Sequence, residues 1–185
     1  MSKNLSQKVV RGEAERKGHG QGRRKTAEKI LSAQSLRSRL DRIGKGKRTV
    51  FTNGCFDVLH PGHIYCLTEA SLLGDFLIVG VNSDDSVRRL KGANRPIISQ
   101  DDRALMLSAL ACVDAVVIFD EDTPVPLIRL LRPDIFVKGS DYAGKQIPEL
   151  EELRIYDGKV EFVDLKPGWS TTGFLERLCR LQQSE

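Results

Sequence analysis

Apolar and polar residues alternate along this chain in two rhythms. Short runs dense in Val, Ile and Phe stand at 48–52 (RTVFT), 76–81 (FLIVGV), 115–119 (AVVIF), 134–137 (DIFV) and 160–164 (VEFVD). Runs of that length and composition, bounded by turn residues, read as β-strands. Between them apolar positions recur at helical spacing, which predicts helices over 62–73, 84–90, 100–111, 124–131, 148–155 and 171–181. Ahead of the first strand, Ile30, Leu36, Leu40 and Ile43 keep a near-helical period. Thr26, Glu28 and Lys29 offer a start and Gly44 and Gly46 a stop, so one more helix is expected over 26–43.

Five strands joined by helical crossovers imply a parallel sheet covered on both faces. The expected fold is α/β: a Rossmann-like, doubly wound, five-stranded parallel sheet in a single domain. In such a sheet the ligand crevice lies beyond the carboxyl ends of the strands, at the switch point. The segments to search are therefore 52–63, 82–95, 120–124, 138–142 and 165–172.

Composition narrows the class. The chain has 185 residues, 40% hydrophobic and 29% charged, as expected of one soluble domain with a sizeable core. No apolar run reaches the roughly 20 residues of a membrane span, and no apolar stretch of a signal peptide opens the chain. Cys55, Cys66, Cys112 and Cys179 form no CxxC pair, which reads as free thiols in a reducing cytoplasm. The formal charge of +4 belongs to one end. Residues 1–25 hold eight Lys or Arg against Glu13 and Glu15, whereas the rest carries 21 basic and 23 acidic side chains. Residues 1–25 are thus expected to be a basic disordered tail, followed by a helix and linker over 26–46 and the main domain over 47–185. The tail could contact nucleic-acid backbones, but the net-negative remainder offers no basic groove with stacking aromatics, so nucleic acid is not the expected partner.

Candidate chemistry concentrates in TNGCFDVLHPGHIYCL, 52–67. Two of the three histidines, His60 and His63, flank Pro61 and Gly62 here. Asn53 and Gly54 break the strand, and Pro61 suits the first turn of a helix, where its missing N–H is no loss. A helix starting there aims free N–H groups and its positive dipole end at the crevice, an anion site before any side chain is counted. Two imidazoles add donors for charge developing on phosphate oxygens. Cys55, His60, His63 and Cys66 could also offer four zinc ligands, but Cys66 better suits the helix's core-facing side, and no metal site is assigned.

TNGCFDVLHPGH resembles the HxGH signature of the cytidylyltransferase-like nucleotidyltransferases. NSDDSVRRLKGANRP (82–96), EDTP (121–124), VKGSDY (137–142) and GWSTTGFLERL (168–178) follow in the order of one branch. That branch is the D-glycero-β-D-manno-heptose 1-phosphate adenylyltransferases, and the resemblance spans about 28–180. It implies transfer of AMP from ATP, with Mg²⁺ accompanying the nucleotide, to a heptose 1-phosphate for lipopolysaccharide core synthesis. It further implies a cytoplasmic homo-oligomer served by a separate heptose kinase and phosphatase. A cytidylyltransferase acting on glycerol 3-phosphate or a similar small phosphate is the alternative.

By that resemblance His60, His63 and Lys91 act on the reacting phosphates. Thr52, Asn53, Gly54, Cys55, Phe56 and Gly62 cradle the nucleotide. Asp57 orients a motif histidine or backbone, or meets Mg²⁺ through water; the first reading is preferred. Arg95 and Arg103 are further anion contacts. Arg103 sits at a helix start, where a cation is disfavoured unless an anion faces it, with Asp101 or Asp102 as the plain alternative partners. Lys138, Gly139 and Asp141 meet nucleotide or sugar. Ser170, Thr171 and Thr172 both cap the last helix and face the triphosphate. Trp169 is assigned to packing or a wall of the base pocket. Cys55 lies near the anion site, which would lower its pKa.

Overall fold

A computed structural model of the chain describes residues 26–43, 46–164, 168, 169, 173, 174, 177, 180 and 181. The basic tail, 1–25, Ser170, Thr171 and Thr172, and most of the helix expected over 171–181 lie outside the described residues.

Five strands form one sheet: β1 (Thr49–Gly54), β2 (Phe76–Asn82), β3 (Ala115–Phe119), β4 (Ile135–Gly139) and β5 (Lys159–Val163). Their order is β3-β2-β1-β4-β5 and every pairing is parallel. The connecting helices are α2 (Pro61–Ser71), α3 (Asp84–Lys91), α4 (Gln100–Ser108), α5 (Val125–Leu131) and α6 (Glu149–Arg154), with α1 (Ala33–Ile43) ahead of the sheet. The chain winds outward from β1 to β3, then returns across the sheet to β4. The switch point therefore falls between β1 and β4, where Val50 pairs with Ile135 and Thr52 with Val137. Thr49 N and Oγ1 both donate to Asp134 Oδ2, at 2.7 and 2.8 Å, which aligns the two strands at their starts.

Alternation along the strands feeds two cores. On one face Val50, Leu77, Val79 and Val81 pack with Leu67 of α2 and Ala104 and Leu107 of α4. On the other, Phe51, Ile78, Val117 and Phe136 pack with Leu36, Leu127, Ile128, Leu131 and Leu153 from α1, α5 and α6. All seven residues of β2 are buried, which is why this strand reads as an uninterrupted apolar run.

The helix expected over 26–43 is not continuous. Thr26–Lys29 forms a 3₁₀ turn, and Ile30 leaves it to bridge Val116, with Leu31 N donating to Val116 O at 2.9 Å. Ser32 Oγ then accepts from Ser35 N at 3.2 Å, starting α1 afresh. Pairing with β3 satisfies backbone groups that a helix would have used internally. Among the described residues no helix is long and apolar enough to cross a membrane.

Candidate active site at the β1–α2 junction

Three local choices shape the junction. His60 stays extended, at φ −140° and ψ 166°, and Pro61 opens α2. His60 Nδ1 accepts from His63 N at 3.3 Å, so the ring itself caps the helix. An accepting Nδ1 carries no proton, which leaves Nε2–H as the donor of the neutral ring. One turn on, the His63 ring stacks on that of His60 with centroids 3.8 Å apart and planes 18° from parallel.

Phe56 completes the turn at φ 48°, a conformation that costs a bulky residue of order 1–3 kcal/mol. Its ring tilts against His63 at 5.2 Å. The same ring would lie 3.2 Å from a Cβ at Gly54, so any larger residue there would crowd it. Gly62 is confined likewise: a Cβ would sit 3.0 Å from His60 Nδ1 and Cε1, and 3.1 Å from Trp169 Cβ.

The pair opens onto a cleft of about 800 Å³ at the carboxyl ends of β1 and β4. Thr52, Asn53, Gly54, Cys55, Phe56, Asp57, His60, Gly62, His63, Lys91, Arg95, Lys138, Gly139 and Asp141 all line it. Thr52 is partly committed elsewhere, its hydroxyl donating to Val137 O at 3.0 Å across the switch point. Asp57, 2% exposed, accepts from Ile97 N at 2.6 Å and Ile98 N at 3.0 Å and pairs with Arg95. It thus holds the backbone after Arg95 in place.

A family model described as cytidylyltransferase-like matches residues 51–167, from β1 past the end of β5. The chain belongs to the cytidylyltransferase-like family of nucleotidyltransferases. It is 52% identical over 151 residues to the bifunctional protein HldE of Syntrophotalea carbinolica, covering 81% of this chain and 31% of that protein. It is 47% identical to HldE of Helicobacter pylori strain 26695, covering 84% and 32%. The chain thus spans about a third of the length of these curated relatives. Among solved structures, a lipopolysaccharide core biosynthesis protein from Thermoplasma volcanium superposes with a TM-score of 0.54 at 32% identity. That match covers 65% of this chain and 98% of that one. A pantoate-β-alanine ligase from Francisella tularensis, at 15% identity and a TM-score of 0.53 over 75% and 68% of the two chains, shares the fold.

Within this cytidylyltransferase-like cleft the charges sort into paired and unpaired. Lys138 Nζ lies 3.1 Å from Glu149 Oε1, both side chains nearly enclosed, and stands over the rings of Phe136 and Tyr142 at 5.2 and 4.8 Å. Arg95 is held by Asp57. Lys91, at the exposed end of α3, has no ion-pair partner among the described residues, so it is the cleft cation free to meet an incoming anion.

Arg103 departs from its expected place. Its side chain is fully buried under the junction rather than in the cleft, so no ligand anion faces it. It donates to Ile98 O at 3.0 Å, to Asp84 Oδ1 at 2.7 Å and to the Cys55 carbonyl. Neither Asp101 nor Asp102 is its partner. The buried guanidinium binds the junction, the loop after Arg95 and the start of α3 into one unit.

Burial holds the His60 imidazole below its usual range. For His63, burial and then the neighbouring His60 bring the pKa down to about 4, against a smaller opposing pull from the Val58 backbone. Both rings are neutral at pH 7 before any anion arrives. Cys55 also differs from expectation: burial raises its thiol pKa, outweighing the nearby Lys91 and Arg103 charges. Cys66 packs against the core beneath α2, as its position suggested.

Glu149 was not legible as a site residue. Neither was the contribution of Gln146 to the wall, whereas Asn82, Asp122, Thr123 and Tyr142, which also line it, lie within the crevice segments expected at the strand ends. Glu149 sits in an acidic helix start, PELEEL, and only the fold turns its carboxylate inward to Lys138.

Proposed function

We propose that this chain transfers AMP from MgATP to D-glycero-β-D-manno-heptose 1-phosphate, releasing pyrophosphate and yielding ADP-heptose for lipopolysaccharide core synthesis. The observation that carries the reading is the stacked His60–His63 pair at the α2 N-terminus, beside the unpaired Lys91. The likeness to HldE proteins supports the choice of nucleotide and sugar.

An oxygen of the acceptor phosphate attacks the α-phosphorus in line. The new P–O bond forms as the bond from the α-phosphorus to the α,β-bridging oxygen breaks, and pyrophosphate leaves. The nucleophile is largely ionised at neutral pH, so no dedicated base is needed and catalysis rests on positioning and fixed charge. His60 donates from Nε2, and His63 with it, to the oxygens that gain charge. The free N–H groups of α2 and its dipole face the same oxygens. Lys91 neutralises the triphosphate from across the cleft. The Lys138–Glu149 pair is internally compensated, and with Asp141 it gives the β4 side of the cleft no net positive charge and polar groups suited to sugar hydroxyls. In the cell the enzyme works in the cytoplasm as a homo-oligomer, after a kinase and a phosphatase that supply the heptose 1-phosphate.

Pyrophosphate release from each of the four nucleoside triphosphates, with heptose 1-phosphate or glycerol 3-phosphate as acceptor, tests this reading. Turnover with ATP and heptose 1-phosphate is expected. Strict dependence on CTP with glycerol 3-phosphate would replace it with the cytidylyltransferase alternative.

A further inference from the structure

The imidazole pair belongs to a longer column of rings. Phe56 tilts against His63 at 5.2 Å, His63 stacks on His60 at 3.8 Å, and His60 stacks on Trp169 at 6.2 Å with planes 27° apart. The inner end is fixed, since Phe56 is buried and sits at a positive φ beside Gly54. The outer end comes from the far side of the sheet, after β5, and Trp169 is the chain's one tryptophan. Gly62 makes the approach possible, since a Cβ there would lie 3.1 Å from Trp169 Cβ. His60 is left only 8% exposed although it stands at the mouth of a cleft.

We infer that Trp169 is a positioning residue: its indole caps the column, fixes the tilt of the His60 ring and, through the stack, that of His63, and keeps water off both. A ring free to rotate about χ2 would spend part of its time with its donor turned from the phosphate. A stack clamped between Phe56 and Trp169 removes that freedom before substrate arrives, so less ordering is left for the transition state. Of the reaction proposed above, this inference uses only the assignment of the imidazoles to the triphosphate.

The depressed titration of both rings follows from the same enclosure, burial being the leading cause for each. The other ionisable groups around the cleft are Cys55 and Asp57 before α2, Cys66 within it, Lys91 and Arg95 opposite, Asp122 after β3, Lys138 at the end of β4 with its partner Glu149 on α6, and Asp141 and Tyr142 after β4. None of these is removed with the indole, whose ring contact is with His60, so a change in imidazole titration is read as a change in its cover.

The test is carried out on the full chain with ¹³C-labelled histidine. Three histidines give three titrations, and His19 in the tail serves as an internal control. In Trp169→Ala the midpoints of His60 and His63 are expected to rise toward the ordinary value near 6.5, as water reaches the rings, while His19 stays put. Trp169→Phe, which restores a ring, should keep them near wild type. In pyrophosphate release, kcat of Trp169→Ala should fall about ten- to a hundredfold with little change in KM for ATP, and the Phe variant should recover most of it. Unmoved midpoints in Trp169→Ala overturn the inference, as does an unchanged kcat. If the midpoints move and no acceptor tried supports turnover, the proposed reaction fails and the positioning role stands.

Discussion

Arg103 and Asp84 meet at 2.7 Å, the arginine fully enclosed and the aspartate at the first position of α3. The guanidinium's remaining donors go to backbone carbonyls of the β1–α2 junction and of the loop after Arg95. One buried side chain therefore sets the distance between the imidazole pair and the helix that carries Lys91. Replacing Arg103 with Met leaves two carbonyls and the partly exposed Asp84 carboxylate without this partner, which should cost roughly 1–3 kcal/mol. Urea unfolding checks this, and Arg103→Lys, unable to reach all three acceptors, should fall between the two.

Lys91 and Lys138 line the same cleft and should respond oppositely to removal. Lys91→Ala breaks no ion pair, so stability should stay within about 0.5 kcal/mol of wild type while KM for ATP rises and kcat falls. Lys138→Met strands the enclosed Glu149 carboxylate and should lower stability by about 3 kcal/mol. Thermal melts alongside kinetics separate the two.

Gly62→Ala tests the tightness of the ring column. Alanine favours the helix by up to about 1 kcal/mol, yet its Cβ would crowd His60 and Trp169 at 3.0–3.1 Å. Stability is expected to change little, because the two terms oppose each other. Pyrophosphate release should still drop at least about tenfold, because the His60 ring must shift to make room.

His63 links stability to acid. Its folded pKa is about 4 against an ordinary 6.5, so the native state favours the neutral ring. Above 6.5 both states hold it neutral and the contribution is fully present. As pH falls through that value the unfolded chain takes up the proton first, and stability drops until the folded pKa is reached. The loss is at most about 3 kcal/mol, at roughly 1.4 kcal/mol per unit. Denaturant unfolding at pH 7 and pH 4.5 should show a larger difference in wild type than in His63→Gln.

Much of the fold could be read from the chain because buried parallel strands are dense apolar runs; FLIVGV could hardly be anything else. The HPGH helix start was equally plain, since proline at the first turn and a capping side chain are local features. What escaped depends on partners distant in sequence. Ile30 keeps a helical period with Leu36, yet its backbone belongs to the edge of β3, a pairing that periodicity cannot signal. Arg103 looked like a surface cation near a ligand because its acceptors, two carbonyls and Asp84, leave no pattern in the sequence. Glu149 lay hidden in an acidic run for the same reason, its mate Lys138 standing on a strand end that only the fold brings near.

The central claim is that the α2 histidines carry transition-state charge on a transferring nucleotidyl group. It is tested most directly by kcat for pyrophosphate release in His63→Ala, with ATP and heptose 1-phosphate saturating and the fold verified by its melting curve. A loss of roughly two to four powers of ten is expected, the scale of removing a transition-state donor. Turnover close to wild type would contradict the account.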